Sequence, residues 1–182
     1  LDTTDEVFGR GYYVHTFERL VPRASHFAAH PEYFAWMNGK RVADQLCLSE
    51  PAVLPIVIER LAAEMAAQPD RHVWSVSQND NFSYCQCPRC RQVIEEEGSP
   101  AGPIIRFVNE VAARFPRETI STLAYQYSRK APRLARPRPN VQVMLCTIEL
   151  NRSRPIETDE GSRDFVRDIV EWGRIAPNLY LW

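Results

Sequence analysis

The run Val141-Gln-Val-Met-Leu-Cys-Thr-Ile148 is apolar at nearly every position. A half-buried strand alternates apolar with polar side chains, whereas an almost unbroken apolar run suits a strand covered on both faces, as in a parallel sheet. Parallel strands need long crossovers, so helices should alternate with them. The rest of the chain meets that demand. The patterning predicts strands over residues 73–77, 119–125 and 179–182. Upstream, Gly11-Tyr-Tyr-Val-His15-Thr-Phe17 reads as a strand entering a loop at His15, Gln45-Leu-Cys-Leu48 as a short extended piece, and Asn38-Gly39 as a turn. One helix should start at a Ser49 cap and present Leu54, Val57, Ile58, Leu61 and Met65 on one face. A second should carry Ile104, Val108, Val111, Ala112 and Phe115 and stop at Pro116, and a third, over 162–173, should present Phe165, Val166, Ile169 and Val170. Glu95-Glu-Glu-Gly98 reads as a solvated helix end. Residues 129–140, rich in proline and arginine, read as a solvated loop.

No strand is followed by a glycine-rich fingerprint, so a dinucleotide-binding or P-loop fold has no support. The remaining expectation is an α/β fold, part of a (β/α)8 TIM barrel, with residues 1–182 as one piece of that domain. The chain starts without Met and ends on Leu179-Tyr-Leu-Trp182, a strand pattern in mid-course. It is therefore expected to be a fragment whose first and last barrel strands are missing. Leu1-Asp-Thr-Thr-Asp5 lacks a signal-peptide pattern, and no apolar run approaches the roughly 20 residues of a membrane span. With 22 basic against 23 acidic residues, nothing in the charge balance suggests nucleic acid as a partner. Barrel enzymes place their chemistry at the C-terminal ends of the strands. Those ends hold His15, Asp80, Tyr125 with Gln126, and Glu149.

The loop after residue 77 also concentrates cysteine, with Cys85, Cys87 and Cys90 spaced C-x-C-x-x-C. Three readings stand side by side. The three thiolates can clasp a structural zinc, with Cys47 or a histidine as fourth ligand. Two of them can form a disulfide in an oxidising compartment. They can also be reduced, buried thiols, which suits Cys146 within its strand better than the three in the polar loop. Catalysis by a thiol lacks a base nearby.

Taken in order, His15-Thr-Phe17, His30-Pro-Glu-Tyr-Phe34, Gln45-Leu-Cys-Leu48, Ser75-Val-Ser-Gln-Asn-Asp-Asn81, Tyr84-Cys-x-Cys-x-x-Cys90, Phe107-Val-Asn109, Leu123-Ala-Tyr-Gln-Tyr127 and Leu145-Cys-x-Ile-Glu149 resemble the family catalogued as domain of unknown function 4838. The resemblance covers most of residues 10–182. It implies a glycoside-hydrolase-like TIM barrel, akin to the α-glucuronidases and β-hexosaminidases, in a bacterial protein that is usually secreted or periplasmic.

Under that resemblance Asp80 and Glu149 become the expected acid/base pair, because glycoside hydrolysis generally uses two carboxyl groups. They fall two strands apart on one rim. A gap of roughly 6.5–9.5 Å predicts inversion and about 5 Å predicts retention. The plainer roles are that Asp80 caps its turn and that Glu149 pairs with an arginine such as Arg152. His15, Asn79, Tyr125 and Gln126 would bind sugar hydroxyls, and Trp182 or Tyr127 would stack on a sugar face. Trp74 is expected in the core, and His26 and His30 at caps or on the surface. The substrate would be a poly- or oligosaccharide, including uronic-acid-bearing glycans. The alternatives are a barrel that binds carbohydrate without cleaving it, or a metal-stabilised interaction domain centred on the cysteine loop.

Overall fold

The computed structural model describes residues 7–182, so the segment Leu1-Asp-Thr-Thr-Asp5, read above for a targeting signal, lies outside the described residues. In chain order the elements are two short helical turns, α1 (Phe17–Leu20) and α2 (Arg23–His26), and a hairpin of β1 (Phe34–Met37) and β2 (Lys40–Leu46). Helix α3 (Val53–Ala67) and strand β3 (Val73–Ser75) follow, then α4 (Pro88–Glu97), α5 (Ala101–Arg114), β4 (Thr119–Ala124), β5 (Val141–Leu145), α6 (Arg163–Ile175) and β6 (Leu179–Leu181).

Strands β3 to β6 form a four-stranded sheet in chain order, and each neighbouring pair is parallel. The fold is mixed α/β, and no closed barrel forms among the described residues. Strand alternation divides the sheet into two faces. Trp74, Ile120, Ala124, Val141, Val143 and Leu145 face the helices and share one core with Val57 and Leu61 of α3, Ile105 and Val108 of α5, and Phe165 and Trp172 of α6. On the opposite face, Leu123, Tyr125, Met144 and Cys146 form a separate cluster with Phe8. Trp74 is fully buried, as expected. The β4–β5 crossover has no α-helix, because its prolines remove donors and disfavour the helical conformation.

Two local expectations need correction. Residues 11–17 do not form a strand. The segment runs beside β3, with a single parallel bridge between Phe8 and Val73 and a bond from the Ser75 amide to the Tyr12 carbonyl at 3.0 Å. Positive φ at Gly11 (77°) and His15 (56°) turns it away before a ladder can propagate. Gln45 and Leu46 are extended, as expected, within the antiparallel hairpin, whose two-residue Asn38-Gly39 loop has φ of 49° and 79°. Two successive positive φ values mark the hairpin turn whose twist matches the flanking strands. Ser49 does not cap α3, which begins after Ala52 without a side-chain cap; the Ser49 hydroxyl instead lies 3.0 Å from Cys90 Sγ.

The end of α4 is not uniformly solvated either. Glu97 is buried and accepts hydrogen bonds from Arg106 Nε (2.8 Å) and the amides of Leu134 (2.8 Å) and Ala135 (2.9 Å). A Cβ on Gly102 would come within 2.3 Å of the Glu97 side chain, so the close approach of α4 to α5 depends on glycine there. Burial by itself would raise this carboxyl, but the Ala135 and Leu134 amides and the Arg106 guanidinium outweigh it and hold it below the usual range. A depressed carboxylate adds stability above its unfolded pKa, and that stability is lost as pH falls through the folded value. Glu97→Ala is expected to cost roughly 3 kcal/mol at neutral pH by stranding these donors. The difference should shrink in denaturation curves taken at progressively lower pH.

Candidate functional site

The C-terminal ends of β3, β4 and β5 share one rim of the sheet. Asp80 lies past β3 on that rim. The Tyr125 hydroxyl donates to Asp80 Oδ1 at 2.9 Å, and Gln126 Nε2 donates to the same oxygen at 3.3 Å and to the Tyr125 oxygen at 2.9 Å. These bonds fix the Gln126 amide orientation, and its Oε1 is buried with no hydrogen-bond partner among the described residues. Gln126 sits at φ 51°, as unusual for a side-chain-bearing residue as His15 at 56°. Two strained residues on one rim are the kind of local cost that clusters at working sites.

His15 joins the group, its ring centroid 5.7 Å from that of Tyr125. His15 Nδ1 lies 2.8 Å from the Gln78 carbonyl oxygen. A carbonyl only accepts, so Nδ1 carries the proton and Nε2 is the free ring nitrogen of the neutral form. Trp182 stands near Tyr125, with ring centroids 6.5 Å apart. Burial first, and then the Asp80 carboxylate, push the Tyr125 hydroxyl up to about 12. Asp80→Asn should therefore lower the Tyr125 pKa without returning it to about 10, since burial persists. Ring-labelled tyrosine followed by NMR through a pH titration would read this out.

Glu149 lies past β5, with β4 between it and Asp80's strand. Its ion pair is with Arg129 at 3.4 Å rather than with Arg152, and Arg129 is held more closely by Asp168 at 2.6 Å. Glu149, Arg129 and Gln126 line a groove of about 400 Å³ that also has Phe82 and Tyr127 on its wall. Asp80 is not on that wall and meets it through Gln126. Phe82 is 71% exposed, a flat apolar face open to a ligand. Tyr127 is less free, because its ring packs on Tyr84 with centroids 5.1 Å apart. Asn79 is engaged by the scaffold: its side-chain amide donates to the Asp44 carbonyl (2.8 Å), and its oxygen accepts from the Glu18 amide (3.1 Å).

Arg129 and Asp168 are not among the residues expected at the strand ends. Asp168 did carry a signal, since it falls on one helical face with Phe165 and Trp172, and those three are the buried residues of α6. A charged residue inside an apolar stripe calls for a buried partner. By contrast Val166 and Val170, read as core, are 37% and 45% exposed.

The cysteines form a second constellation. Cys47 at the end of the hairpin, Cys85 and Cys87 in the loop and Cys90 in the first turn of α4 bring their sulfurs within 4.8 Å of one another. All four are buried. Cys47 Sγ lies 3.7 Å from Cys87 Sγ and 4.0 Å from Cys90 Sγ, and no pair is joined as a disulfide. Thiolates around one tetrahedral zinc, each about 2.3 Å from it, would stand about 3.8 Å apart. The four sulfurs could thus hold a metal ion. Hydrogen bonds from Cys47 and Cys90 pull the Cys85 thiol down, and the same sharing with Cys47 and Cys85 pushes Cys90 up. The Trp36 amide donates to Cys85 Sγ at 3.3 Å, and the Ser49 hydroxyl reaches Cys90, so the sulfurs have an outer shell of donors.

Fold and site together define a parallel α/β protein with a polar-aromatic rim and a buried four-cysteine cluster. The chain belongs to the family described as Domain of unknown function (DUF4838), whose model matches residues 2–182. No curated protein matches the chain.

Proposed function

We propose that this chain is part of a (β/α)8 barrel that hydrolyses glycosidic bonds in a poly- or oligosaccharide, with Asp80 and Glu149 as its acid/base carboxylates. The barrel reading is supported by strand order: β3 to β6 follow one another without reversal, and the helices share one face. A doubly wound sheet would reverse its order and carry helices on both faces. The observation that carries the activity is the grouping of Asp80, Tyr125, Gln126 and His15 on the C-terminal rim. Sugar hydroxyls both donate and accept, and this group offers them a carboxylate and an imidazole nitrogen. Phe82 and Trp182 supply faces for C–H stacking. The enzyme would act outside the cell or in the periplasm, where such glycans are met.

We also propose that the four cysteines hold a structural zinc. An all-sulfur tetrahedral donor set selects zinc or iron, and a closed set of four protein ligands leaves no position for substrate. One zinc per chain should copurify; iron with visible absorbance, or no metal at all, would contradict this.

The activity is tested on a panel of neutral and uronic-acid-bearing oligosaccharides, by measuring reducing-end release and binding separately. Asp80→Asn and Glu149→Gln should each cut release by about 10²-fold or more while binding persists. If both variants lose only affinity, or the unaltered protein binds without cleaving, the protein is a carbohydrate-binding barrel.

A further inference from the structure

The cysteine cluster and the Asp80 loop are joined through β2. Asn79 and Asn81, the neighbours of Asp80, are both tied to residues just ahead of Cys47. Gln45 Nε2 donates to the Asn79 carbonyl (2.8 Å) and to Asn81 Oδ1 (3.0 Å), while Gln45 Oε1 accepts from the Asn79 amide (3.0 Å). The Asp44 carbonyl accepts from the side-chain amides of Asn79 (2.8 Å) and Asn81 (3.2 Å). Beyond them the loop is tied again, where Cys85 and Cys87 meet Cys47 and the Gln86 amide donates to the Trp36 carbonyl at 2.8 Å.

Residues 79–86 contain no helix or strand, so their backbone order has to come from side-chain bonds, isolated backbone bonds and the cluster. The cluster supplies little apolar burial: apart from the four cysteines its only fully buried member is Ala35. β1 and β2 also stand outside the parallel sheet, so no ladder bond fixes them to β3.

We infer that metal binding at Cys47, Cys85, Cys87 and Cys90 is the clamp that positions Asp80. The ion locks the end of β2 against the far end of the loop, and Gln45 and Asp44 pass that constraint to the residues flanking Asp80. The inference rests on the metal reading above and extends it from a fold staple to a positioning device for the rim.

Amide hydrogen exchange on the metal-loaded and chelator-stripped protein tests it, with metal content measured on both. Stripping should speed exchange at Asn79, Asn81 and Gln86 at least tenfold, to near their unprotected rates, while Ile120 and Val143 in the sheet stay protected by the global stability that remains. Gln45→Ala should retain one metal per chain and keep Gln86 protected, yet expose Asn79 and Asn81. If the loaded protein holds one metal and stripping leaves 79–86 unchanged, the clamp is overturned and the metal site stands. Loss of protection at Ile120 and Val143 as well would make the ion a global fold determinant, which also overturns a local clamp. Absence of any bound metal, before or after incubation with zinc, takes down the metal reading and the clamp with it.

Discussion

Cys47→Ser is expected to reduce bound zinc from one atom per chain to less than a tenth and to destabilise the protein by about 3 kcal/mol or more. Structural zinc contributes about 10–16 kcal/mol to the folding of zinc-finger peptides. Only part of that should be lost here, because Phe34 and Leu46 of the hairpin keep their places in the main core. Chemical denaturation with and without chelator separates the contributions. The unaltered protein should fall on chelation to the stability of Cys47→Ser, and the variant should not respond. Cys146→Ser is the control, because Cys146 lies on the sheet face away from the helices, in a cluster apart from the other four. It should leave zinc content unchanged. A Cys47→Ser protein that keeps its zinc would contradict the four-thiolate assignment.

Asp80→Asn is expected to lower turnover of the cleaved glycan by about 10²–10⁴-fold, the usual contribution of a positioned proton-transfer group. The substitution preserves shape and leaves Tyr125 and Gln126 in place, so binding should change less than tenfold. Glu149→Gln should reduce turnover on a similar scale, by a different physical route. Glu149 shares Arg129 with Asp168, and the shorter Arg129–Asp168 bond should survive the substitution. The groove should therefore keep its shape. Rate and affinity measured together decide the matter: a fall in affinity with unchanged turnover would remove both carboxylates from the chemistry.

Much of this arrangement was legible in the residues. The apolar run at 141–148 announced a strand covered on both faces, and its first five residues are β5, flanked by parallel neighbours. The C-x-C-x-x-C spacing marked the cluster, with Cys47 named as one candidate for its fourth member, and the structure brings Cys47 within reach of the other three. What was not legible depended on long-range partners. The hairpin lacks clean alternation, and only its Asn38-Gly39 turn betrayed it. Residues 11–17 have strand composition, yet their conformation is decided by the positive φ values at Gly11 and His15. The buried face of α6 was misjudged because Val166 and Val170 outrank Asp168 in hydrophobicity, while the packing follows Arg129. Glu97 looked solvated in a run of glutamates, and its burial depends on amides more than thirty residues away.

Titrating a cleaved or tightly bound oligosaccharide into isotope-labelled protein and mapping the chemical-shift changes tests the proposed rim site most directly. Changes should concentrate at His15, Asp80, Tyr125 and Gln126 and extend to Phe82 and Glu149. Changes centred elsewhere, such as the arginine-rich surface of residues 130–136 and Arg174, with the rim silent, would contradict it.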